Sequence, residues 1–273
     1  MRPYGGIVIV TRQLVARLEA SSAHAAMLLV RAIDAGAPGT GADHLPFGRG
    51  VLVASGAGRY VNRAVGISLD EILQADLQPI EAWYLQRRLR PMIEVSAWAP
   101  ASTLATFAAS GYGPAWFRAM LVHQVRPRRQ RSEPASVVAV ETEEDAARWR
   151  SAFSEGFNVT QPEALEVSDE HARADRRIDG ARQFLAIVGG TIAGCCSVTL
   201  ANGIAWLGAA ATIPAHRHQG VHATMVRHRL DYAHDNGCDL AAVTALADGA
   251  SARNLVRLGF QLVQHQLVLQ APS

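Results

Sequence analysis

One stretch of this sequence decides the fold: residues Ala209–Ala223, which read AAATIPAHRHQGVHA. Its first residues are small and apolar, as in a buried strand, and Pro214 ends that strand because proline cannot donate to a β-ladder. A short polar turn follows, and a helix is predicted to begin near Gly220. The unpaired amides and the positive dipole end of such a helix predict an anion-binding site. Arg217 adds a fixed positive charge beside it.

Strands and helices alternate on both sides of this stretch. Upstream, periodicity and turn residues predict strands at 136–140, 183–188, 192–200 and 204–213, and helices at 143–157 and 162–178. Downstream, they predict helices at 220–236 and 251–258, and strands at 239–246 and 261–269. Asn202-Gly203 predicts a tight hairpin, and Ala147, Phe153 and Phe157 are expected on the apolar side of the first helix. This half therefore indicates a mixed α/β domain.

The first half repeats this order more loosely, with predicted strands at 51–55, 60–67, 92–98 and 117–125 and helices at 69–89 and 102–110. Gly56-Ala57-Gly58 predicts a hairpin turn, because a dinucleotide fingerprint would need a third glycine where Val61 stands. Helices 102–110 and 251–258 each end in a glycine followed by an aromatic residue. A weak internal duplication would explain this, but helix–glycine–strand is also a common unit, and both interpretations stay open.

The stretch quoted first resembles the acyl-CoA-binding motif of the GNAT superfamily of N-acetyltransferases, Gln/Arg-x-x-Gly-x-Gly/Ala. Arg217 and Gly220 match its first two fixed positions. His222 stands where the family has Gly or Ala, and Ala223 follows directly. The later helix that ends in Gly259-Phe260 is similar to the closing helix of the same family. The two elements together, in this order, are more specific than the short motif alone.

The resemblance, over about residues 135–270, implies a fold and a division of the chain. We expect an α/β protein of two GNAT-like domains, each a mixed, mostly antiparallel sheet flanked by helices. Residues 1–132 would form a degenerate N-terminal domain without CoA, and residues 133–273 the acetyltransferase domain. The boundary falls in Arg126–Pro134, a basic run flanked by prolines that is typical of an exposed linker.

The resemblance also implies where acetyl-CoA, the acyl donor, would bind. Main-chain groups at the end of the strand before the motif would pair with the pantetheine arm, and amides of the turn and first helical turn would hold the diphosphate. Arg217 would contact a phosphate, and Asn254 on the late helix would reach the pantetheine. The implied cofactor-binding residues are Ala211, Thr212, Ile213, Arg217, His218, Gln219, Gly220, Val221, His222, Ala223 and Asn254.

The implied reaction is transfer of an acetyl group to a primary amine by direct attack on the thioester. Leu255 stands where the family often has a tyrosine that acts as acid. Ser251, one turn earlier, is a candidate substitute, although we also expect it to cap the helix. Candidates for the base lie on the two helices that border the acceptor site in this family, and Glu155 is the one that we assign as the base. For each candidate, the alternative is an ordinary solvated position on the surface. The candidates are Glu155, Glu163, Glu166 and His171.

Two other classes of function need to be weighed. A catalytically silent sensor or interaction module that binds acyl-CoA is compatible with the missing tyrosine. His216, His218 and His222 could in principle hold a metal, but no carboxylate or cysteine accompanies them, so we expect an anion site and no metal. The three cysteines have no metal-binding spacing and are expected to be small buried residues.

The composition limits the partners. Hydrophobic residues make up 49% of the 273 residues, and the formal net charge of +2 is too small to indicate a nucleic-acid partner. No apolar run reaches the roughly 20 residues that cross a membrane, and no signal peptide is recognisable, so we expect a cytoplasmic protein. The acceptor is expected to be a small-molecule or peptide amine. Its identity stays open, as does the assembly, with a homodimer among the alternatives.

Overall fold

The structure, a computed structural model, describes residues 7–127 and 132–272. Part of the predicted linker, residues 128–131, lies outside the described residues. No helix in the described part of the chain is long and apolar enough to cross a membrane.

The chain separates into two compact units. The first unit comprises Met1–Val122 together with Thr244–Ser273, and the second unit is His123–Val243. The last thirty residues of the sequence therefore belong with the first unit, although they follow the second along the chain. The domain division at residue 132 stays a prediction.

The elements are as follows in chain order. The first eight are α1 (Arg12–Gly36), β1 (Asp43–Phe47), β2 (Gly50–Ala54), β3 (Arg63–Val65), α2 (Gln74–Leu85), β4 (Met92–Ser96), α3 (Ala101–Ala109) and β5 (Gly113–Gln124). The next six are β6 (Ser136–Ala139), α4 (Glu143–Phe157), α5 (Pro162–Asp175), β7 (Ala181–Val188), β8 (Thr191–Ala201) and β9 (Ile204–Thr212). The last five are a 3₁₀ turn (Pro214–His216), α6 (Val221–Asp235), β10 (Leu240–Leu246), α7 (Ala250–Arg257) and β11 (Gln261–Gln270).

In the first unit the strands lie in the order β1-β2-β3-β4-β11-β5. All neighbours are antiparallel except β3 and β4, which are parallel. Helix α1 packs against Val51, Val53 and Val65. Side chains of α2 and α3, Tyr84 and Phe107 among them, belong to a separate core cluster.

In the second unit the order is β6-β7-β8-β9-β10, antiparallel except for the parallel pair β9–β10. Helices α4 and α5 cover one face of this sheet, with Trp149 of α4 against Cys195 and Ala211. Helix α6 packs on β8 and β9. Each unit is thus a mixed, mostly antiparallel sheet flanked by helices, which confirms the predicted fold class. Asn202 and Gly203, with φ of 53° and 73°, form the expected hairpin.

Two elements near the N-terminus were not predicted, α1 and β1. Helix α1 begins at Thr11, whose Oγ1 accepts a hydrogen bond from the Leu14 amide at 3.1 Å. Its buried side includes Glu19 and Ser21 among apolar residues such as Val15 and Leu18. Because polar residues interrupt the buried stripe, the hydrophobic period of this helix is weak.

The predicted apolar side of α4 is wrong in part. The fully buried positions are Ala146, Trp149 and Ala152, whereas Ala147 is exposed and Phe157 is 52% exposed. The indole of Trp149 sets the direction that faces the sheet, since the largest apolar side chain contributes most of the burial free energy.

The aromatic residues that were expected in the core or between domains divide into two groups. Trp83, Tyr84 and Tyr112 are buried in the core of the first unit. Trp98 is half-buried, and Trp116 is 38% exposed.

Strand β11 is joined to the rest of the first unit by polar side chains as well as by its ladder. Nε2 atoms of Gln264 and Gln266 donate to Oε1 of the buried Glu19 at 2.7 and 2.9 Å. Ser96 on β4 donates to Oε1 of Gln264 at 2.6 Å. Buried polar groups need hydrogen-bond partners, so these contacts favour β11 at this position over a strand with only apolar side chains.

We predict that Asp175 makes the second unit less stable as pH rises. Burial raises the pKa of Asp175 from 3.8 to about 6, with Gln183 donating to it at 3.4 Å. Between these pH values the folded state keeps a proton that the unfolded state has lost, so the free energy of unfolding falls as pH increases. Two pKa units correspond to at most about 3 kcal/mol. Asp175→Asn should remove this loss.

The measurement is urea unfolding of both proteins at pH 4 and pH 7. Relative to the wild type, Asp175→Asn should gain stability at pH 7 and gain little at pH 4. Asp179→Asn, at an exposed aspartate in the following loop, is the control and should track the wild type. Parallel pH dependence of Asp175→Asn and the wild type would contradict the prediction.

Candidate functional site

Strands β9 and β10 pair only at their beginnings. The parallel ladder joins residues 204–206 to residues 240–242. Strand β9 continues to Thr212, still paired with Gly194 of β8. The second half of β9 thus has a regular partner on the β8 side and no ladder to β10.

A bulge lies within the part of β9 that has no ladder to β10. Between the pairs Ser197–Gly208 and Cys195–Ala211, two residues of β9 oppose one residue of β8. Ala209 in this bulge has a φ of 41°, which is unusual for a residue with a Cβ and indicates local strain. A bulge of this kind bends a strand and changes its twist.

Hydrogen bonds beyond the bulge determine which main-chain groups face away from β8. The Ile213 amide donates to Ala193 O at 3.0 Å, and Ile213 O accepts from the His216 amide at 2.9 Å. Because strand residues alternate in direction, Thr212 directs its N–H and C=O away from β8, and Ala211 directs its own towards it. Of the three residues predicted to pair with pantetheine, Thr212 is the one whose main chain faces the open side.

The turn between β9 and α6 has an unusual backbone. His218 and Gly220 have φ of 62° and 80°. Arg217 is held against the end of β9, with Nη2 donating to Gly156 O at 2.9 Å and Nε to Thr212 O at 3.3 Å. The guanidinium that the sequence assigns to a phosphate is therefore fixed beside the strand end.

The N-terminus of α6 is open. Gly220 is its N-cap and, in the part of the chain that the structure describes, no side chain caps the helix and no acid lies in its first turn. The first intrahelical bond from this end is Thr224 N–H to Gly220 O at 3.0 Å, so the amides of Val221, His222 and Ala223 have no intrahelical acceptor. Gln219 bonds back to Ala215 O at 3.0 Å. Uncapped amides, a positive dipole end and exposed residues around them fit a diphosphate.

His222 carries little charge at neutral pH. Burial, with Arg229 as a second cause, lowers the pKa of His222 to about 4. The positive potential at this end of α6 therefore comes from the helix amides and Arg217.

The corresponding helix of the first unit differs. Helix α2 connects the parallel strands β3 and β4, as α6 connects β9 and β10. At its N-terminus, Oδ2 of Asp76 accepts from the Leu73 amide at 2.8 Å. Thr103 Oγ1 accepts from the Ile72 amide at 3.0 Å. Side chains of the first unit, Asp76 and Thr103, therefore accept hydrogen bonds from amides at this end of α2. The carboxylate of Asp76 in the first turn would also repel a bound anion.

A cleft of about 770 Å³ lies between α4 and α5 and reaches Pro214, shortly after the end of β9. Glu155, Glu166 and Asp169 line it, together with Arg150. Asp169 is 3.5 Å from Arg150. Among the described residues, no ion pair engages Glu155 or Glu166.

The other two base candidates lie outside this lining. Glu163 is exposed on the first turn of α5. His171 directs Nδ1 towards Val167 O on its own helix, at 3.0 Å. The structure therefore brings together two of the four candidates, Glu155 and Glu166.

Ser251, Asn254 and Leu255 lie on α7, in the first unit. The expected capping role of Ser251 is wrong, because the helix begins one residue earlier and Gly249 is its N-cap. Asn254 accepts a hydrogen bond from Arg257 at 2.8 Å. Leu255 is buried, with 2% of its surface exposed.

The cysteines and histidines give no further reactive group. Cys195, Cys196 and Cys238 are buried. Burial raises the pKa of the Cys195 and Cys196 thiols, so neither is a ready thiolate nucleophile. Within residues 7–127 and 132–272, no group of three or more His, Cys, Asp or Glu side chains is placed to hold a metal ion.

Two side chains at the bulge were not singled out from the sequence. Arg229 of α6 donates from Nη1 to the carbonyls of Ser197 and Gly208, both at 3.0 Å. Trp149 of α4 donates from Nε1 to Cys196 O at 3.1 Å. One signal was available: Arg229 continues the i, i+4 row of buried α6 residues, an unusual position for an arginine.

Comparison with known proteins agrees with this geometry. The sequence profile of the Acetyltransferase (GNAT) family matches residues 146–260, from α4 to the aromatic residue after α7. A search of curated proteins finds no match.

Three solved structures share the fold at low sequence identity. A GCN5-related N-acetyltransferase from Kribbella flavida has a TM-score of 0.68 at 16% identity, over 94% of this chain and 95% of that one. A tandem GNAT protein from the clavulanic acid biosynthesis pathway has a TM-score of 0.62 at 15% identity, over 97% and 98%. A GCN5-related N-acetyltransferase from Sphaerobacter thermophilus has a TM-score of 0.58 at 16% identity, over 73% and 68%. The chain thus has the fold of these GNAT structures, and its residues 146–260 match the Acetyltransferase (GNAT) family.

Proposed function

We propose that this protein is an acetyl-CoA-dependent N-acetyltransferase that transfers the acetyl group to a primary amine. The observation that carries the proposal is the open N-terminus of α6 at Gly220, directly after a strand that has left its parallel neighbour. Acyl transfer is the general chemistry of the family, and acetyl-CoA as donor and an amine as acceptor are the finer parts of the proposal.

The donor would lie along the end of β9 and the start of α6. The main chain of Thr212 would pair with the pantetheine arm like an added strand. Amides from His218 to Ala223 would hold the diphosphate, with Arg217 supplying a fixed charge. Ile213, whose main-chain groups face β8, would line this path through its partly buried side chain, whereas the side chain of Ala211 is buried against α4. Asn254 stays a prediction, because it lies in the other unit.

The acceptor would enter through the cleft between α4 and α5. Its neutral nitrogen forms a bond to the thioester carbon while the carbon–sulfur bond breaks. The nitrogen loses a proton to Glu155, directly or through water, and the sulfur leaves as the thiolate of CoA and takes a proton from solvent. Main-chain amides at the open edge would stabilise the oxyanion. Ser251, which lies in the other unit, stays a prediction as the acid in place of solvent.

A sensor or interaction module that binds acyl-CoA without turnover is the second candidate. Buried Leu255, at the position where the family often has a tyrosine, favours it. The two functions share the donor site and differ in whether thiol is released.

We expect Gly220→Ala to weaken acetyl-CoA binding about tenfold or more, because the amides here lose their alignment. A Cβ at Gly220 would meet Cγ of Pro134 at 3.1 Å, and the φ of 80° disfavours any side chain. Isothermal titration calorimetry measures the effect. Gly237→Ala is the matched control, since Gly237 at the other end of α6 has a φ of 73° and open space around it. Equal affinities in the two variants would refute the assigned site.

Release of free thiol from acetyl-CoA, followed over a panel of amines, tests the reaction itself. The enzyme is expected to release CoA with at least one amine, well above the rate without amine. Binding of acetyl-CoA without release across the panel would instead support the sensor.

With an amine that supports turnover, Glu155→Gln should lower kcat at least about tenfold, because a neutral amide cannot accept the proton. The affinity for acetyl-CoA should stay within about twofold, since Glu155 lies in the acceptor cleft. Glu163→Gln is the control, an exposed glutamate at the start of the neighbouring helix. If both variants retain wild-type kcat, Glu155 is not the base.

A further inference from the structure

Arg229 is a buried cation without a carboxylate partner. Its side chain is 1% exposed, and among the described residues no ion pair engages it. Removing a guanidinium from water is costly unless hydrogen bonds replace its hydration. Its position must therefore be sustained by the groups that it contacts.

Those groups are main-chain carbonyls at the bulge. One nitrogen, Nη1, donates to Ser197 O on β8 and to Gly208 O on β9, the residue just before the bulge. Nε donates to Met225 O, one turn earlier on α6. The guanidinium thus connects both strands, at their last regular pair, to the helix whose N-terminus forms the anion site.

Trp149 acts on the same place from the α4 side. Its Nε1 donates to Cys196 O, and Cys196 is the residue that two residues of β9 oppose. Two buried side chains from different helices therefore bind three carbonyls around the bulge: those of Cys196, Ser197 and Gly208.

The bulge controls the direction of every main-chain group after it. A slip of one residue between β8 and β9 would reverse the alternation, and Thr212 would then direct its N–H and C=O towards β8. The strained φ of Ala209 indicates that the bulge does not persist through local preference. Contacts from outside the strand have to hold it.

We infer that Arg229, assisted by Trp149, is a positioning residue that fixes the bulge in β9 so that Thr212 presents its main chain to the pantetheine arm. The inference rests on the proposed function, because it assumes that acetyl-CoA binds along β9. It assigns to α6 a second role besides its N-terminus, which is to hold the neighbouring strand in register.

Two ligands separate this role from a general effect on folding. Adenosine 3′-phosphate 5′-diphosphate, the nucleotide part of CoA, contacts only the diphosphate site, whereas acetyl-CoA also contacts β9. The ratio of their Kd values, nucleotide over acetyl-CoA, measures what the pantetheine arm contributes. Calorimetry on the full-length protein gives both values, and circular dichroism with thermal unfolding verifies the fold.

Arg229→Met should lower this ratio about tenfold or more, the size expected for lost hydrogen bonds from a charged donor. Its affinity for the nucleotide should change by less than about twofold, because the α6 amides remain in place. The matched control is Arg227→Met, on the same helix, where Arg227 pairs with Glu133 at 2.7 Å and does not contact the bulge. The control should keep the wild-type ratio.

Two milder variants keep the test decisive if Arg229→Met does not fold. Trp149→Phe keeps an aromatic side chain but loses the N–H donor, and should lower the ratio about threefold. Arg229→Lys keeps the positive charge but has fewer hydrogen-bond donors. Its ratio of Kd values should lie between those of Arg229→Met and the wild type. A wild-type ratio in Arg229→Lys and Trp149→Phe, or equal effects of Arg229→Met and Arg227→Met, would overturn the inference alone. A wild-type protein that binds neither ligand would overturn the proposed function and this inference together.

Discussion

The bulge in β9 is the constraint on which the second unit depends. The ladder of β9 with β10 ends at Trp206, and after Gly208 the bulge shifts the register of β9 on β8. Alanine in a left-handed conformation costs about 1 kcal/mol or more, so the surrounding packing must offset this strain. Arg229 and Trp149, which bind the carbonyls on either side, supply that support. The proposed donor site combines this strained strand with the open N-terminus of α6.

Much of this arrangement could be predicted from the sequence, because its devices are local. Pro214 ends a strand, Gly220 and Gly237 bracket a helix, and Asn202-Gly203 forms a hairpin, each through its own backbone preference. The resemblance of Arg217 and Gly220 to a known motif predicted that acyl-CoA would bind here. These features depend on a few adjacent residues, and one sequence is enough to recognise them.

The rest could not be predicted because it depends on contacts between distant residues. The bulge arises from the register between β8 and β9, and no residue type near Ala209 predicts it. The capping role given to Ser251 failed since Gly249 already provides the helix start. Helix α1 could not be predicted from its apolar pattern, because its buried side includes Glu19. The hydrogen-bond partners of Glu19 on β11 lie more than 240 residues away along the chain. Polar groups in a core become understandable only once their partners are known.

The position of β11 has a consequence for how the chain is made. This strand lies between β4 and β5, yet it is synthesised after all the other strands of both units. Until then β4 has an unpaired edge, and Glu19 lacks the two amides that will satisfy it. The residues of the second unit are contiguous, so its sheet can form while the first unit still lacks β11. The first unit can therefore be completed only after the second has been synthesised, and a chain that stops short of residue 260 would leave the edge of β4 open to aggregation.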